Sequence, residues 1–373
     1  MANGGEVSYK LDGGIDDMAT GLAQMLKDIW EQKGMPSAIN KEVTLGFANK
    51  IWSGLKEGYG KDVGNIDYNS PDFNMLTHLQ TNVYAFSAAK NWQQMKAITQ
   101  SMIGEDRKLR TFAQFKDAAG LINTTYEGWL RTEYNTAVAS GQMASKWVDI
   151  QANKDVLPML EYDAVMDGRT SDICADFNGI IKEVDDAFWN AFYPPNHFGC
   201  RSTVRQLSSG KPTNTSNLAI PEKIPEMFKV NLAKERLAFP PTHPYYIGLP
   251  SHVNKEAAKL QNKEILNWAK ENLKGKHVIT DEIGRVDFNV TGIKEIMNQP
   301  HIYKQAKNLA IYAIESIMKN AKFVQSSPDI KGNTMVKAWH YFDIQINGEK
   351  SYAVVRELIT GEKVLYSIVD SLK

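Results

Sequence analysis

Cys174, His197 and Cys200 are the residues of this chain whose types and spacing best suit chemistry. Thiolates and imidazole suit zinc, and the His-x-x-Cys step from His197 to Cys200 is an accepted ligand-pair spacing. Cys174 offers a third donor 23 residues before His197. Closed structural sites take four ligands, and Asp167, Asp172 or water are the candidates for the fourth. Two other readings stay open. A cysteine nucleophile would need a low-pKa thiolate with His197 beside it. Equally, both cysteines can be small buried hydrophobes while His197 binds a loop carbonyl. Nearby Asp167-Gly168-Arg169-Thr170 reads as a turn in which Asp167 caps the backbone and Arg169 pairs with an acidic neighbour.

A second set lies near the C-terminus. Metal-free cleavage of RNA needs a base for the 2′-hydroxyl, an acid for the leaving oxygen and cations for the phosphate. His340, Lys337, Arg356, Tyr366 and Ser367 are the candidates. Whether they meet depends on two hairpin turns, Asn347-Gly348 and Thr360-Gly361. If both are two-residue loops, His340 faces Val355 and Val355 faces Tyr366. His340 and Tyr366 then share one sheet face with Phe342, Ile344, Ala353, Val355 and Ile368. Trp339, Tyr341, Asp343, Tyr352, Arg356 and Ser367 share the other. On this reading His340 is either catalytic at the edge of that face or a core histidine bonded to Tyr366. Arg356 beside Asp343 reads equally as a surface ion pair. His301 and His277 read as ordinary helix-start and loop residues.

Longer elements must position these groups. Residues 1–127 read as helical. Met18, Leu22, Met25, Leu26 and Trp30 recur at helical spacing, with Gly34 as a stop; Ser70 and Pro71 open a helix with Leu76, Leu79, Val83 and Phe86 on one stripe. The segment from Thr111 to Gln142 reads as one long helix or a pair. The centre is rich in Asp, Gly, Pro and Asn. Residues 210–252 are Pro-rich and read as a linker or draped arm. Residues 253–373 read as an α+β domain: an amphipathic helix, then an apolar helix with Ile302, Ala306, Leu309, Ala313 and Ile317 on one face, then a three-stranded antiparallel meander. The expected fold class is therefore multidomain, mainly α-helical with a loop-rich central motif, then α+β.

Composition narrows the partners little. Forty-three basic residues balance 43 acidic ones, so net charge points to neither nucleic acid nor membrane. Two cysteines in 373 residues make no disulfide framework. The opening "MANGGEVSYKLDGG" has no basic stretch followed by an apolar run, and no apolar segment reaches the ~18 residues of a spanning helix. A soluble protein made in a reducing cytoplasm is expected.

Taken in order, "RTEYNTAVASGQ", "YDAVMDGRTSDIC", "FNG" and "PPNHFGCRSTV" resemble the Mu F-type phage head morphogenesis family, the minor head or minor capsid proteins. The matching positions are Arg131-Thr132-Glu133, Asp167-Gly168-Arg169-Thr170, Cys174, Gly179, and Pro194-Pro195-Asn196-His197-Phe198-Gly199-Cys200-Arg201. "FPPTHPYYIG" resembles a His-Pro-Tyr segment that often follows, so the likeness runs from about Gly128 to Gly248. The core of the likeness is assigned to residues 128–209. It implies a virion protein inside the phage head, with the portal protein, the inner capsid and packaged DNA as partners. Its role would be in head assembly, DNA packaging or ejection. It also implies metal ligation by the Cys and His residues. Many members carry Cys where this chain has Ser171 and Ser202, so two candidate ligands are missing here.

Residues from about 270 to 373 are similar, more loosely, to phage-associated nuclease-like modules related to the barnase–EndoU–colicin–RelE ribonuclease fold. That likeness implies an RNA substrate if the domain is active. Two functions follow as expectations: a structural minor head protein, or a head-packaged effector whose C-terminal domain is a metal-independent RNase. A zinc hydrolase lacks any HExxH-like set.

Overall fold

A computed structural model describes residues 15–215, 224–330 and 332–372. The opening segment, where a leader would stand, and residues 216–223 of the Pro-rich stretch lie outside the described residues. The chain divides into two compact units. One takes Met1–Lys61 and His78–Ala257; the other takes Asp62–Thr77 and Ala258–Lys373.

The first unit is built mainly on helices. α1 spans Ile15–Gln32, α2 Lys41–Tyr59, α3 Pro71–Gln100 and α4 Phe112–Asn153. Asn40 caps α2 by accepting from Val43 N, and Ser70 Oγ accepts from Phe73 N at the start of α3. The stripe Leu76, Leu79, Val83 and Phe86 is fully buried. A Thr111/Gln114 capping box opens α4, which continues as one helix of 42 residues, about 60 Å long at 1.5 Å per residue. Helices α2 and α4 approach closely because glycines meet backbone. A methyl at Gly58 would strike the Val138 carbonyl, and one at Gly141 the Leu55 carbonyl. A separate cluster of Met25, Ile29, Met95, Ile98, Met102 and Phe115 ties α1, α3 and α4 together.

After α4 comes a small antiparallel sheet in the order β2-β1-β3, made from β1 Met159–Asp163, β2 Ile181–Glu183 and β3 Thr203–Leu207. Two short helices, α5 Asp172–Phe177 and α6 Phe188–Phe192, sit in its connections. Residues 224–250 then return over the helices as an irregular arm. Phe239 stacks on Phe86 at 3.8 Å between ring centroids, and Asn82 Oδ1 accepts from both Ala238 N and Phe239 N. Helix α7, Ser251–Asn272, follows; its residues up to Ala257 belong to this unit and those from Ala258 to the second.

The second unit holds a six-stranded sheet in the order β4-β5-β9-β8-β7-β6. Its strands are β4 His277–Thr280, β5 Gly284–Asp287, β6 Lys322–Ser327, β7 Val336–Ile346, β8 Glu349–Leu358 and β9 Lys363–Val369. The expected meander is β7-β8-β9; β6 extends it on one edge, and the β4-β5 hairpin joins β9 through a parallel pairing. The apolar helix expected after Pro300 is instead broken into α9 Lys304–Leu309, a 3₁₀ turn and α10 Ile314–Asn320, following α8 Val290–Asn298. Two further features depart from a single apolar face. Tyr303 stands at the N-cap, so Ile302 precedes the helix and is 75% exposed. Lys307 is buried to donate to the Ile296 and Gln299 carbonyls at the end of α8. Among the described residues no helix is long and apolar enough to cross a membrane.

Candidate metal centre and flanking sites

The central motif is assembled by β1, α5 and β3. Ser171 ends the loop after β1 and caps α5, its Oγ accepting from Cys174 N at 3.3 Å. That cap turns Cys174 inward. On the other side the cis Pro194-Pro195 bond and Gly199, at φ +69°, fold the chain back so that His197 and Cys200 face Cys174. Cys200 and Ser202 lead directly into β3, which pairs with β1 from Asp163↔Thr203 onward.

Three donors converge there. Cys174 Sγ lies 3.2 Å from His197 Nε2 and 3.7 Å from Cys200 Sγ. All three ligand atoms fall within 4.8 Å of one another. Zn–S bonds of about 2.3 Å at a tetrahedral angle put two sulfurs about 3.8 Å apart, so the sulfur pair is already at ligand spacing. His197 is oriented to ligate, because its Nδ1 bonds the Phe198 carbonyl at 2.8 Å and leaves Nε2 as the inward donor atom. The Cys200 contact, reinforced by His197, Ser202 and Tyr162, holds the Cys174 thiol well below its usual range. The same Cys174 contact, together with burial, pushes the Cys200 thiol up. Hydrogen bonding to Cys174 raises His197. A divalent cation bound there would deprotonate both thiols. Both thiols are buried, at 3% and 4% exposure, which does not suit an open nucleophile.

Asp167 takes no place in the cluster. It forms a bidentate pair with Arg201 at 2.8 and 2.6 Å and accepts from Arg169 N at 2.9 Å. Those bonds, the Arg201 one first, hold its carboxyl well below the usual carboxylate range. The turn expected at Asp167 is present, but Arg201 rather than Arg169 supplies the guanidinium. Thr170 closes the turn, its Oγ1 accepting from Asp167 N at 2.8 Å. Behind the cluster, Tyr162 OH donates to Asn196 Oδ1 at 2.9 Å and approaches Cys174 Sγ at 3.5 Å; burial pushes its phenol up and keeps it a donor.

The Arg131-Thr132-Glu133 segment serves the helices rather than the donor cluster. Glu133 is buried in α4 and binds Lys90 of α3, whose ammonium is fully buried, at 2.5 Å. Lys90 also donates to the Tyr126 carbonyl at 2.8 Å. The other Glu133 oxygen accepts from Tyr245 of the arm at 2.8 Å. The helix motif and the His-Pro-Tyr segment are therefore the two halves of one clasp. Gln93 adds bonds to the Tyr245 and Ile247 carbonyls.

In the second unit the candidate residues separate into two groups. His340 is buried, with Nε2 2.9 Å from Glu357 Oε2 and Nδ1 2.7 Å from Ser326 Oγ. Lys337 reaches the other Glu357 oxygen at 2.8 Å. The Lys337 bond, with His340 behind it, lowers the Glu357 carboxyl. Arg356 instead lies over the Tyr366 ring at 4.7 Å, and Tyr366 packs on Trp339 at 5.2 Å. The expected His340–Tyr366 contact is absent, for a reason in the register. His340 pairs with Val355 as expected, but Val355 pairs with Leu365, and a bulge between Val354 and Val355 puts Tyr366 on the opposite face. The shift begins at the turn: Leu358 N bonds the Glu362 carbonyl around a three-residue loop with Gly361 at φ +86°. Ser367 pairs with Val354 and is buried. Asp343 binds Lys350, not Arg356, at 3.2 Å. His301 is also more than a helix-start residue: it is buried, contacts Ser351 Oγ at 3.2 Å and accepts from Tyr303 N. Sequence reasoning missed Glu357 and Ser326. Glu357 was findable, since the His340↔Val355 register puts an acid on the inward face two residues along.

Comparison with known proteins fits this division. Residues 89–205 match the family described as "Phage Mu protein F like protein", and residues 256–365 match "Large polyvalent protein-associated domain 3". A protein of Escherichia phage Mu named "Putative capsid assembly protein F" is 37% identical over 82 residues, 22% of this chain. The "Mu-like prophage FluMu F protein" of Haemophilus influenzae is 37% identical over 79 residues, 21% of this chain. The matched stretch spans 19% of each relative's length. No solved structure matches the chain.

Proposed function

We propose that this chain is a phage head morphogenesis protein that works inside the virion near the portal, in head assembly, DNA packaging or ejection. The observation that carries this reading is the ordered motif from Asp167 to Arg201, folded around one buried donor cluster within the segment that matches phage Mu protein F. The Glu133–Tyr245 clasp supports it by joining two further pieces of the same motif set. Portal protein and inner capsid are the partners, with packaged DNA nearby. In this reading Cys174, His197 and Cys200 hold zinc, which staples α5 to the start of β3. Co-expression of the full chain with the portal protein of its phage tests the reading. Co-purification, and heads that fail to mature when the gene is silenced, are expected. Mature, DNA-filled virions lacking the chain would refute it. Metal analysis tests the staple: below about 0.2 zinc per chain without chelator, it fails.

A second reading, an RNase effector in the C-terminal unit, draws support from the His340–Glu357 pair, since a carboxylate that orients a histidine suits acid–base work. Arg356 and Tyr366 lie on the other face, so the cation for phosphate would have to be Lys337. Incubation of the full chain with RNA, with His340→Ala and Arg356→Ala controls, decides it. Cleavage lost in His340→Ala alone is expected; no cleavage, or equal cleavage by both variants, rejects it.

A further inference from the structure

We infer that the Cys174–His197–Cys200 centre is an open site: three protein donors hold the metal, and the fourth position takes solvent or a small monodentate anion. The inference rests on the zinc reading and goes beyond it, because a staple alone would be closed by a fourth side chain.

The candidates for a fourth side chain are turned away or committed elsewhere, and Asp172 is exposed and outside the donor group. Among the described residues no carboxylate joins the cluster. Asp167 is held by Arg201 through both oxygens. Tyr162 OH serves Asn196 Oδ1 and approaches the Cys174 sulfur as a donor. What remains are two serine hydroxyls, Ser171 and Ser202, and neutral hydroxyls compete poorly with water for zinc beside thiolates.

The space for an outside ligand is present. A cavity of about 20 Å³ reaches Cys174 and His197 between Ser171, Ser202, Arg169 and Arg201. A site of roughly 10–15 Å³ by the same kind of measure holds one water. Ser171 Oγ stands 3.1 Å from His197 Nε2. Once Nε2 is given to a metal, that hydroxyl is free to donate to whatever fills the cavity. Charge selects the ligand class. Zn²⁺ with two thiolates and a neutral imidazole is neutral overall, and Asp167 offsets Arg201. Arg169 on the rim then favours an anion over a neutral donor. The cavity size limits it to a few atoms.

Cobalt substitution of the full chain tests this, with azide as the probe. Thiolate-to-cobalt charge-transfer bands report the two sulfurs, and the visible d–d bands report the fourth position. The expected result is a saturable shift of the d–d bands with azide while the charge-transfer bands persist. In Ser171→Cys or Ser202→Cys a third thiolate should fill the position, strengthening charge transfer and removing the azide shift in the variant that reaches the metal. Intact charge transfer with no azide response in the unsubstituted chain would overturn the open site and leave the zinc staple standing. No thiolate–cobalt bands at all would overturn the zinc reading and the open site with it.

Discussion

Glu133→Gln should be among the most damaging conservative changes in the chain. Lys90 is fully buried, and its side chain and that of Glu133 are 0% and 5% exposed. Burial lowers the Lys90 pKa, and Glu133 is the main influence holding it up. The substitution keeps the shape and an acceptor for Tyr245 OH but removes the charge, leaving an ammonium faced by a carbonyl and three aromatic rings. Breaking one side of a buried pair costs about 3–5 kcal/mol. At about 2–4 °C per kcal/mol for a unit of this size, the melting point of the first unit should fall by roughly 6–20 °C. The sign of the pH dependence is specific. Without Glu133 the folded pKa of Lys90 drops further below its unfolded value. The penalty is therefore full below the folded lysine pKa and shrinks as pH rises from the folded toward the unfolded one. The double variant Lys90→Met with Glu133→Gln removes the orphaned charge and should recover most of the loss. Thermal unfolding followed by circular dichroism, with hydrogen exchange at residues 237–247, is the assay. Glu133→Gln within about 1 kcal/mol of the parent, or a double variant whose cost is the sum of the singles, would refute the reasoning.

Other outcomes follow from the same geometry. Gly58→Ala should force α2 off α4 at a cost of about 1–3 kcal/mol or more, seen as a lower melting point; an unchanged one would show that the helices can separate freely. His243 is held at about 4 by burial, with the Lys90 charge adding to it. The unfolded histidine protonates near 6.5, so the first unit should lose about 3 kcal/mol between pH 6.5 and 4, and His243→Gln should flatten that slope in denaturant titrations. Glu357 acts with the same sign at lower pH: its lowered pKa adds stability above the ordinary glutamate range that is lost as pH falls through it, and Glu357→Gln should abolish that acid dependence in the second unit. Cys200→Ala should abolish zinc retention measured by metal analysis after gel filtration, because two protein donors do not hold a structural ion.

Much of this was legible from local pattern. The α3 cap and stripe were readable because Ser70, Pro71 and the Leu76–Phe86 spacing agree with each other. The donor cluster was readable because thiolate and imidazole suit zinc and His197 stands at an accepted ligand spacing before Cys200. Elsewhere a single residue of register decided the outcome. One residue more in the turn at Gly361 and one bulge moved Tyr366 to the far face, and neither leaves a mark on a period-two pattern. The burial of Lys307 was hidden because a lysine in an apolar helix reads as a solvated face until its carbonyl acceptors at the end of α8 are known. The Lys90–Glu133–Tyr245 clasp joins three distant stretches, and only folding brings them together.

That clasp also carries an order in time. Tyr245 lies 112 residues after Glu133, so it leaves the ribosome about 6–22 s later at ordinary translation speeds of about 5–20 residues per second. During that interval α3 and α4 can already pair, but the Lys90–Glu133 charges and the Phe86 ring have no cover. A nascent chain stalled before residue 245 would present this gap to chaperones and proteases. Completion of the first unit is thus reported by a late segment, which closes only over helices that have already found each other.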